Sequence, residues 1–300
     1  MSLEYRVLPW ALFAGCSVLA CILWFFFADS RAHRDGKSPR LAASVLVLGL
    51  LLGTALARGT WVLFRIFQHP PLFGLRVDEL SYYGGMAGVI LAVALSARLA
   101  GRGVRDVLNT FAPMGAFLAA MFRFAEYFLG SLGLGAYLEE GVFFPLTVEI
   151  YFDEYYSEYY WAVFMFSGLF SLIAMVFSLV RRGDRDRFLR TLFYLCLPQV
   201  LFESMRSQSI RWLFVHAEQL VCFLVCEGVL VYYALRRRPR NFRGWIPALA
   251  GLCVCGLGIL IEFALENKIS FGGSALPHGV LYAVLAAGLS GMAAAEHFGR

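Results

Sequence analysis

The chain has 300 residues, of which 60% are hydrophobic and only 16% charged. A soluble domain carries about 25% charged residues, so this composition excludes a soluble globular core and makes lipid the solvent for most of the chain. The net charge of +5 does not point to nucleic acid, because the arginines stand in short clusters between apolar runs, as they do in cytoplasmic loops of membrane proteins.

A bilayer-spanning helix needs roughly 20 apolar residues. Nine segments qualify as candidates: about 7–29, 41–66, 81–100, 106–130, 158–180, 188–204, 210–235, 244–265 and 277–296. The sixth is short and the fourth carries charges. The runs are too long for barrel strands and do not alternate, so the expected fold class is all-α, a polytopic helical membrane protein with about nine transmembrane helices. The first run is too long for a cleavable signal, and the positive charge follows it instead of preceding it. The seven cysteines, Cys16, Cys21, Cys196, Cys222, Cys226, Cys253 and Cys255, all lie in apolar runs. No CxxC stands beside histidines, so no metal and no cofactor is expected, and the thiols read as small packing groups.

Every second loop is basic. Arg31, Arg34, Lys37 and Arg40 follow the first segment; Arg98, Arg102 and Arg105 follow the third. Arg181, Arg182, Arg185, Arg187 and Arg190 follow the fifth, and Arg236, Arg237, Arg238, Arg240 and Arg243 the seventh. The loop at 131–157 has Glu139, Glu140, Glu149, Asp153 and Glu154 and no Lys or Arg. The positive-inside rule puts the basic loops in the cytoplasm, which gives an N-out/C-in topology. The aromatic and acidic stretch within 131–157 reads either as an interfacial belt or as an element shaping access to a site from the outer leaflet.

Ionisable groups within spanning helices are costly and face a bundle interior or a wet cavity. Here they are Arg58, Arg123, Glu126, Glu203, Arg206, Glu218, Glu227 and Glu262. Arg123 and Glu126 are three apart and share a helix face; Glu203 and Arg206 repeat the spacing. Arginine stays charged, and its planar fork binds two oxygens of a phosphate. Arginines on different helices, with acids to position them, suit a phospholipid headgroup; structural ion pairs between helices are the other reading. The first would bring Arg58, Arg123, Glu203 and Arg206 to one cavity open to the outer leaflet. The third segment opens with Gly84, Gly85 and Gly88, which permit close approach of a helix or of a ligand.

In this order and spacing the segments resemble the prolipoprotein diacylglyceryl transferase family. Ala57-Arg58-Gly59-Thr60-Trp61-Val62-Leu63-Phe64 is similar to the family's Gly-Arg-x-Gly-aromatic-Val-Leu-Phe. Ser81-Tyr82-Tyr83-Gly84-Gly85-Met86-Ala87-Gly88 is similar to Ser-Phe-His-Gly-Gly-x-x-Gly, and Asn109-Thr110-Phe111-Ala112-Pro113 to Asp-x-x-Ala-Pro. The family's Gly-Arg-x-Gly-Asn-Phe falls on Phe122 to Tyr127, its Arg-x-x-x-Glu-x-x-Arg on Gln199 to Arg206, and a glutamine of the next helix on Gln219.

The resemblance covers roughly residues 1–235 as a seven-helix transferase-like membrane domain and leaves 236–300 as an added C-terminal transmembrane hairpin. It implies a multi-pass enzyme of the bacterial inner membrane, with phosphatidylglycerol or another anionic phospholipid as donor and a prolipoprotein cysteine as acceptor. The implied substrate-binding residues are Arg58, Gly84, Gly85, Gln199, Glu203, Arg206 and Gln219; the implied catalytic residues are Arg123, Glu126 and Tyr83. The chain departs from the family where its histidine becomes Tyr83, its asparagine Glu126 and one arginine Gln199. It also lacks a match to the His-Pro-x-Gln motif. Tyrosine, with an ordinary pKa near 10, is a weak base at neutral pH, so the phosphate-holding half of the site is kept better than the proton-moving half. The alternatives are a relative that binds phospholipid or lipoprotein as a partner subunit without transfer, and a lipid-modifying enzyme with another acceptor.

Overall fold

The computed structural model describes residues 4–34, 39–66, 79–142, 146–151, 157–181, 183–207, 211–212, 215–237, 242–266, 268 and 277–298. Among them are nine α-helices: α1 Glu4–Arg34, α2 Pro39–Phe64, α3 Tyr82–Leu99, α4 Val104–Ala125, α5 Val163–Val180, α6 Arg187–Met205, α7 Ala217–Arg237, α8 Ile246–Leu265 and α9 His278–Phe298. Eight are long and apolar enough to cross a bilayer. The remaining one, α6, carries Arg187, Arg190 and Glu203 in its 19 residues. The protein is an all-α polytopic membrane protein, as its composition requires.

Three boundaries differ from those expected. The fourth segment stops being α-helical at Ala125 and tightens into a 3-10 helix over Glu126–Gly133, where the tighter winding turns the chain across the end of the bundle. Residues 158–161, expected to open the fifth helix, belong to a strand. Ser157–Trp161 (β3) lies between Tyr137–Leu138 (β1) and Thr147–Tyr151 (β2), antiparallel to both. These segments are aromatic and β-branched, the residue types that suit a pleated half-buried surface. Glu149 faces Tyr159 across the β2–β3 pair, and the hydrogen bond and charge of its carboxylate raise the Tyr159 phenol above its ordinary value. The seventh helix starts at Ala217, after a small hairpin of Arg211–Trp212 (β4) and Val215–His216 (β5).

The chain divides into two compact units, Met1–Thr191 with Arg206–Gln208, and Leu192–Met205 with Ser209–Arg300, so the division falls inside α6. In the first unit, α1 to α5 form a bundle whose core includes Trp24, Val45, Val93, Phe111 and Leu118. Lipid gives apolar side chains little reason to cluster, so close backbone packing matters more than in water. A Cβ on Gly84 would lie 2.5 Å from the Leu56 carbonyl oxygen, and one on Gly88 would lie 2.4 Å from that of Leu52. The α2–α3 approach therefore requires both glycines. At the basic end, Arg105 pairs with Asp186, and Asn109 donates to the Arg185 carbonyl (2.8 Å) and accepts from the Phe188 N–H (2.8 Å). These bonds tie the start of α4 to the α5–α6 loop and the start of α6.

In the second unit Gln219, fully buried, donates to Glu262 (2.9 Å) and to the Val200 carbonyl (3.3 Å), and His216 Nε2 stands 3.7 Å from Glu262. Tyr194 donates to Glu296 at 2.9 Å. Gly251 and Gly258 receive the Glu227 carboxylate and the Phe223 ring of α7, each closer than a Cβ would permit.

Candidate phospholipid site

The end of the first-unit bundle opposite the basic loops holds a cluster of buried charge. Arg123, on the last turn of α4, has no exposed surface. Its Nη1 donates to Glu126 Oε1 at 2.7 Å and its Nη2 donates to the Tyr83 hydroxyl at 3.0 Å. The guanidinium carbon lies 3.7 Å from the centroid of the Tyr82 ring, within cation–π range. Tyr82 in turn donates its hydroxyl to the Ala119 carbonyl (3.3 Å). The fork of Arg123 is thus fixed by two tyrosines of α3 and by the carboxylate of Glu126, the first residue of the 3-10 helix that follows α4.

Glu126 carries the cluster to a third segment. Its Oε2 accepts from Arg206 Nη2, 80 residues further along the chain, at 2.6 Å, so one carboxylate bridges the guanidinium groups of Arg123 and Arg206. Arg206 is placed by backbone: it forms an antiparallel bridge with Gly135, and the neighbouring Ser207 N–H donates to the Leu134 carbonyl at 3.1 Å. The 3-10 helix after α4 brings Leu134 and Gly135 to that position.

Arg58 of α2 is held separately. Its Nη1 donates to Glu79 Oε2 (2.5 Å) and to the Glu79 carbonyl (3.3 Å), and its guanidinium carbon stands 4.7 Å from the Trp61 ring centroid. Ser81, the cap of α3, donates its N–H to the carbonyl of Ala57, next to Arg58, at 3.0 Å. Glu79 and Tyr82 did not stand out in the sequence: Glu79 precedes a helix instead of lying in one, and a tyrosine near the interface is ordinary.

Below the charged cluster lies a largely apolar slot of about 310 Å³. Each wall is one helix stripe with the spacing of an α-helical face: Ser17, Cys21 and Trp24 of α1; Leu46, Gly49, Leu50, Gly53, Thr54 and Ala57 of α2; Tyr82, Gly85, Met86 and Val89 of α3; Leu118 and Phe122 of α4, with Glu126 just beyond its end. Glu126 therefore belongs both to the arginine bridge and to the head of the slot. From Ala57 to Leu46 the α2 wall runs roughly 16 Å at 1.5 Å per residue.

Arg123, Glu126, Arg206 and Tyr83 come together; Gly85 lines the slot; Gly84 packs against α2; Arg58 engages Glu79. Gln199 and Glu203 are buried one turn apart on α6 in the second unit, where Gln219 is held by Glu262. Among the described residues no group of three or more His, Cys, Asp or Glu is arranged to hold a metal.

Fold and site together define a polytopic helical membrane protein that buries an arginine–glutamate cluster at the head of an apolar slot. Residues 3–235 match the family model described as prolipoprotein diacylglyceryl transferase, and the chain belongs to that family. The match includes every residue of the cluster and the slot and ends before α8 and α9. No curated protein matches the chain.

Proposed function

We propose that the protein transfers a diacylglyceryl group from phosphatidylglycerol, or a closely related anionic phospholipid, to the cysteine thiol of a prolipoprotein at the outer face of a bacterial plasma membrane. The observation that carries this is the Arg123–Glu126–Arg206 bridge at the head of an apolar slot, in a chain of this family. A phospholipid needs both features in one place: donors for its phosphate and an apolar wall for an acyl chain. The roughly 16 Å of slot compares with about 15 Å for half of a 30 Å hydrocarbon core.

In the reaction a carbon–sulfur bond forms and the bond between the diacylglyceryl carbon and its phosphate oxygen breaks, so the leaving glycerol phosphate gains negative charge. Arg206, and behind it the fully buried Arg123, set a positive field for that charge, their planar forks held beforehand by Glu126, Tyr82 and Tyr83. Donors that need no rearrangement as charge develops are the main source of electrostatic catalysis. The acceptor needs little activation, because a cysteine is already a few per cent thiolate at neutral pH, and nearby guanidinium groups increase that fraction. This chemistry accommodates a tyrosine at the position of the family's histidine.

The Tyr83 hydroxyl is engaged as an acceptor of Arg123, and that favours one second reading, a family relative that binds the phospholipid without transferring it. Complementation separates the two. Expression in a bacterial strain depleted of its own transferase restores growth and lipoprotein modification if the protein is an enzyme. Membrane expression without rescue, by a chain that retains phosphatidylglycerol on purification, supports the binder.

A further inference from the structure

The α2 wall of the slot carries two glycines, Gly49 and Gly53, between Leu46 and Ala57. A Cβ on Gly53 would already stand in van der Waals contact with the Gly85 carbonyl oxygen (3.6 Å) and the Val89 side chain (3.8 Å) of α3. Gly84 and Gly88 are accounted for by the backbone of α2. Gly49 is different. It lines the slot, yet a Cβ built on it meets nothing within 4 Å. Glycine inside a helix costs about 1 kcal/mol relative to alanine, and here no neighbouring group needs the room.

Gly49 lies eight residues from Ala57, which places it roughly 12 Å down a wall of roughly 16 Å. Leu46 follows one turn deeper on the same face, and Trp24, Val89 and Leu118 bound the other walls. Trp24 is 3% exposed and its ring stands 6.3 Å from Phe111, so the deep end abuts the packed core. A side chain at position 49 projects across the last third of the slot.

Building on the phospholipid function proposed above, we infer that the slot receives one acyl chain of the donor lipid and that Gly49 sets the chain length it accepts. The headgroup phosphate stays with the arginines at the top, so the position of the glycerol backbone is fixed and the distance down to residue 49 measures the chain. Gly49 is a specificity-determining residue for the donor, distinct from the groups that touch its phosphate.

The test is native mass spectrometry of the purified full chain in detergent. It is offered an equimolar mixture of synthetic phosphatidylglycerols whose two saturated chains are short, medium or long. Gly49→Leu narrows the slot, and Gly49→Ala is the milder variant. Gly15→Leu is the control, at an exposed position outside the slot whose Cβ is equally unhindered. Overpacking of this kind is expected to lower the ratio of long-chain to short-chain lipid bound to Gly49→Leu at least about fivefold. Gly49→Ala should fall between, and Gly15→Leu should match the wild type. If all three variants bind the wild-type distribution, the slot does not measure chains and the inference is overturned while the phospholipid function stands. If the wild type itself retains no phosphatidylglycerol, the function proposed above fails, and this inference with it.

Discussion

Tyr83→Phe tests how the site uses the residue at the family's histidine position. The change removes one oxygen, which accepts from Arg123 Nη2 at 3.0 Å, and leaves the ring in its edge-on packing with Tyr82 (centroids 5.1 Å apart, planes at 86°). A hydrogen bond involving a charged group contributes about 1.5–3 kcal/mol, or roughly 10- to 150-fold in an equilibrium constant. Arg123 keeps its bond to Glu126 and its place over Tyr82, so the lower end applies, and phosphatidylglycerol affinity should fall about tenfold. Titration of delipidated protein with the lipid, followed by native mass spectrometry, measures this. Transfer should fall in parallel with binding, and its pH profile should keep its shape, if Tyr83 positions the guanidinium and relays no proton in the reaction. A variant that binds lipid within about twofold of wild type while losing transfer would refute this reasoning and make the Tyr83 hydroxyl a proton-handling group.

Arg123→Lys keeps the charge beside Glu126 but cannot reach Glu126 and the Tyr83 hydroxyl with one rigid fork; lipid binding should drop by about tenfold or more at unchanged helicity, checked by the same titration and by circular dichroism. Gly88→Ala puts a Cβ 2.4 Å from the Leu52 carbonyl oxygen, a backbone atom that cannot swing aside, so thermal unfolding in detergent should show a loss of about 1–3 kcal/mol. Single cysteines at positions 102 and 137, in a chain whose native cysteines are replaced, should differ towards an impermeant maleimide added outside cells: Tyr137→Cys labels and Arg102→Cys does not, because the α3–α4 loop is basic and the 131–157 loop acidic. Equal labelling would overturn the N-out/C-in topology.

The helices were legible because a spanning helix leaves an uninterrupted apolar run that no other structure needs, and the pairing of Arg123 with Glu126 was legible from its three-residue spacing. The bridge from Glu126 to Arg206 was not, since it joins residues 80 apart through a backbone placement at Gly135. Nor was the capture of Arg58 by Glu79. Residues 158–161 read as the start of a helix because their aromatic run continues into α5 without a break, and an apolar run alone does not separate strand from helix. The three glycines that open α3 look alike in sequence, but helix phase sends Gly84 and Gly88 to the α2 backbone and Gly85 to the slot. Gln219, assigned to substrate by resemblance, has its amide N–H group on Glu262 of α8, a residue outside the family match.

The most direct measurement of the central claim is transfer itself. Purified protein in liposomes of phosphatidylglycerol labelled in its acyl chains is incubated with a lipobox peptide, and the label joined to the cysteine is counted. The expected result is a thioether-linked diacylglyceryl peptide from the wild type, with Glu126→Gln lowered about tenfold or more because a neutral amide offers one oxygen where the carboxylate bridges two guanidinium groups. Retention of labelled lipid by the wild type with no label on the peptide would contradict the transferase assignment and leave a phospholipid-binding member of the family.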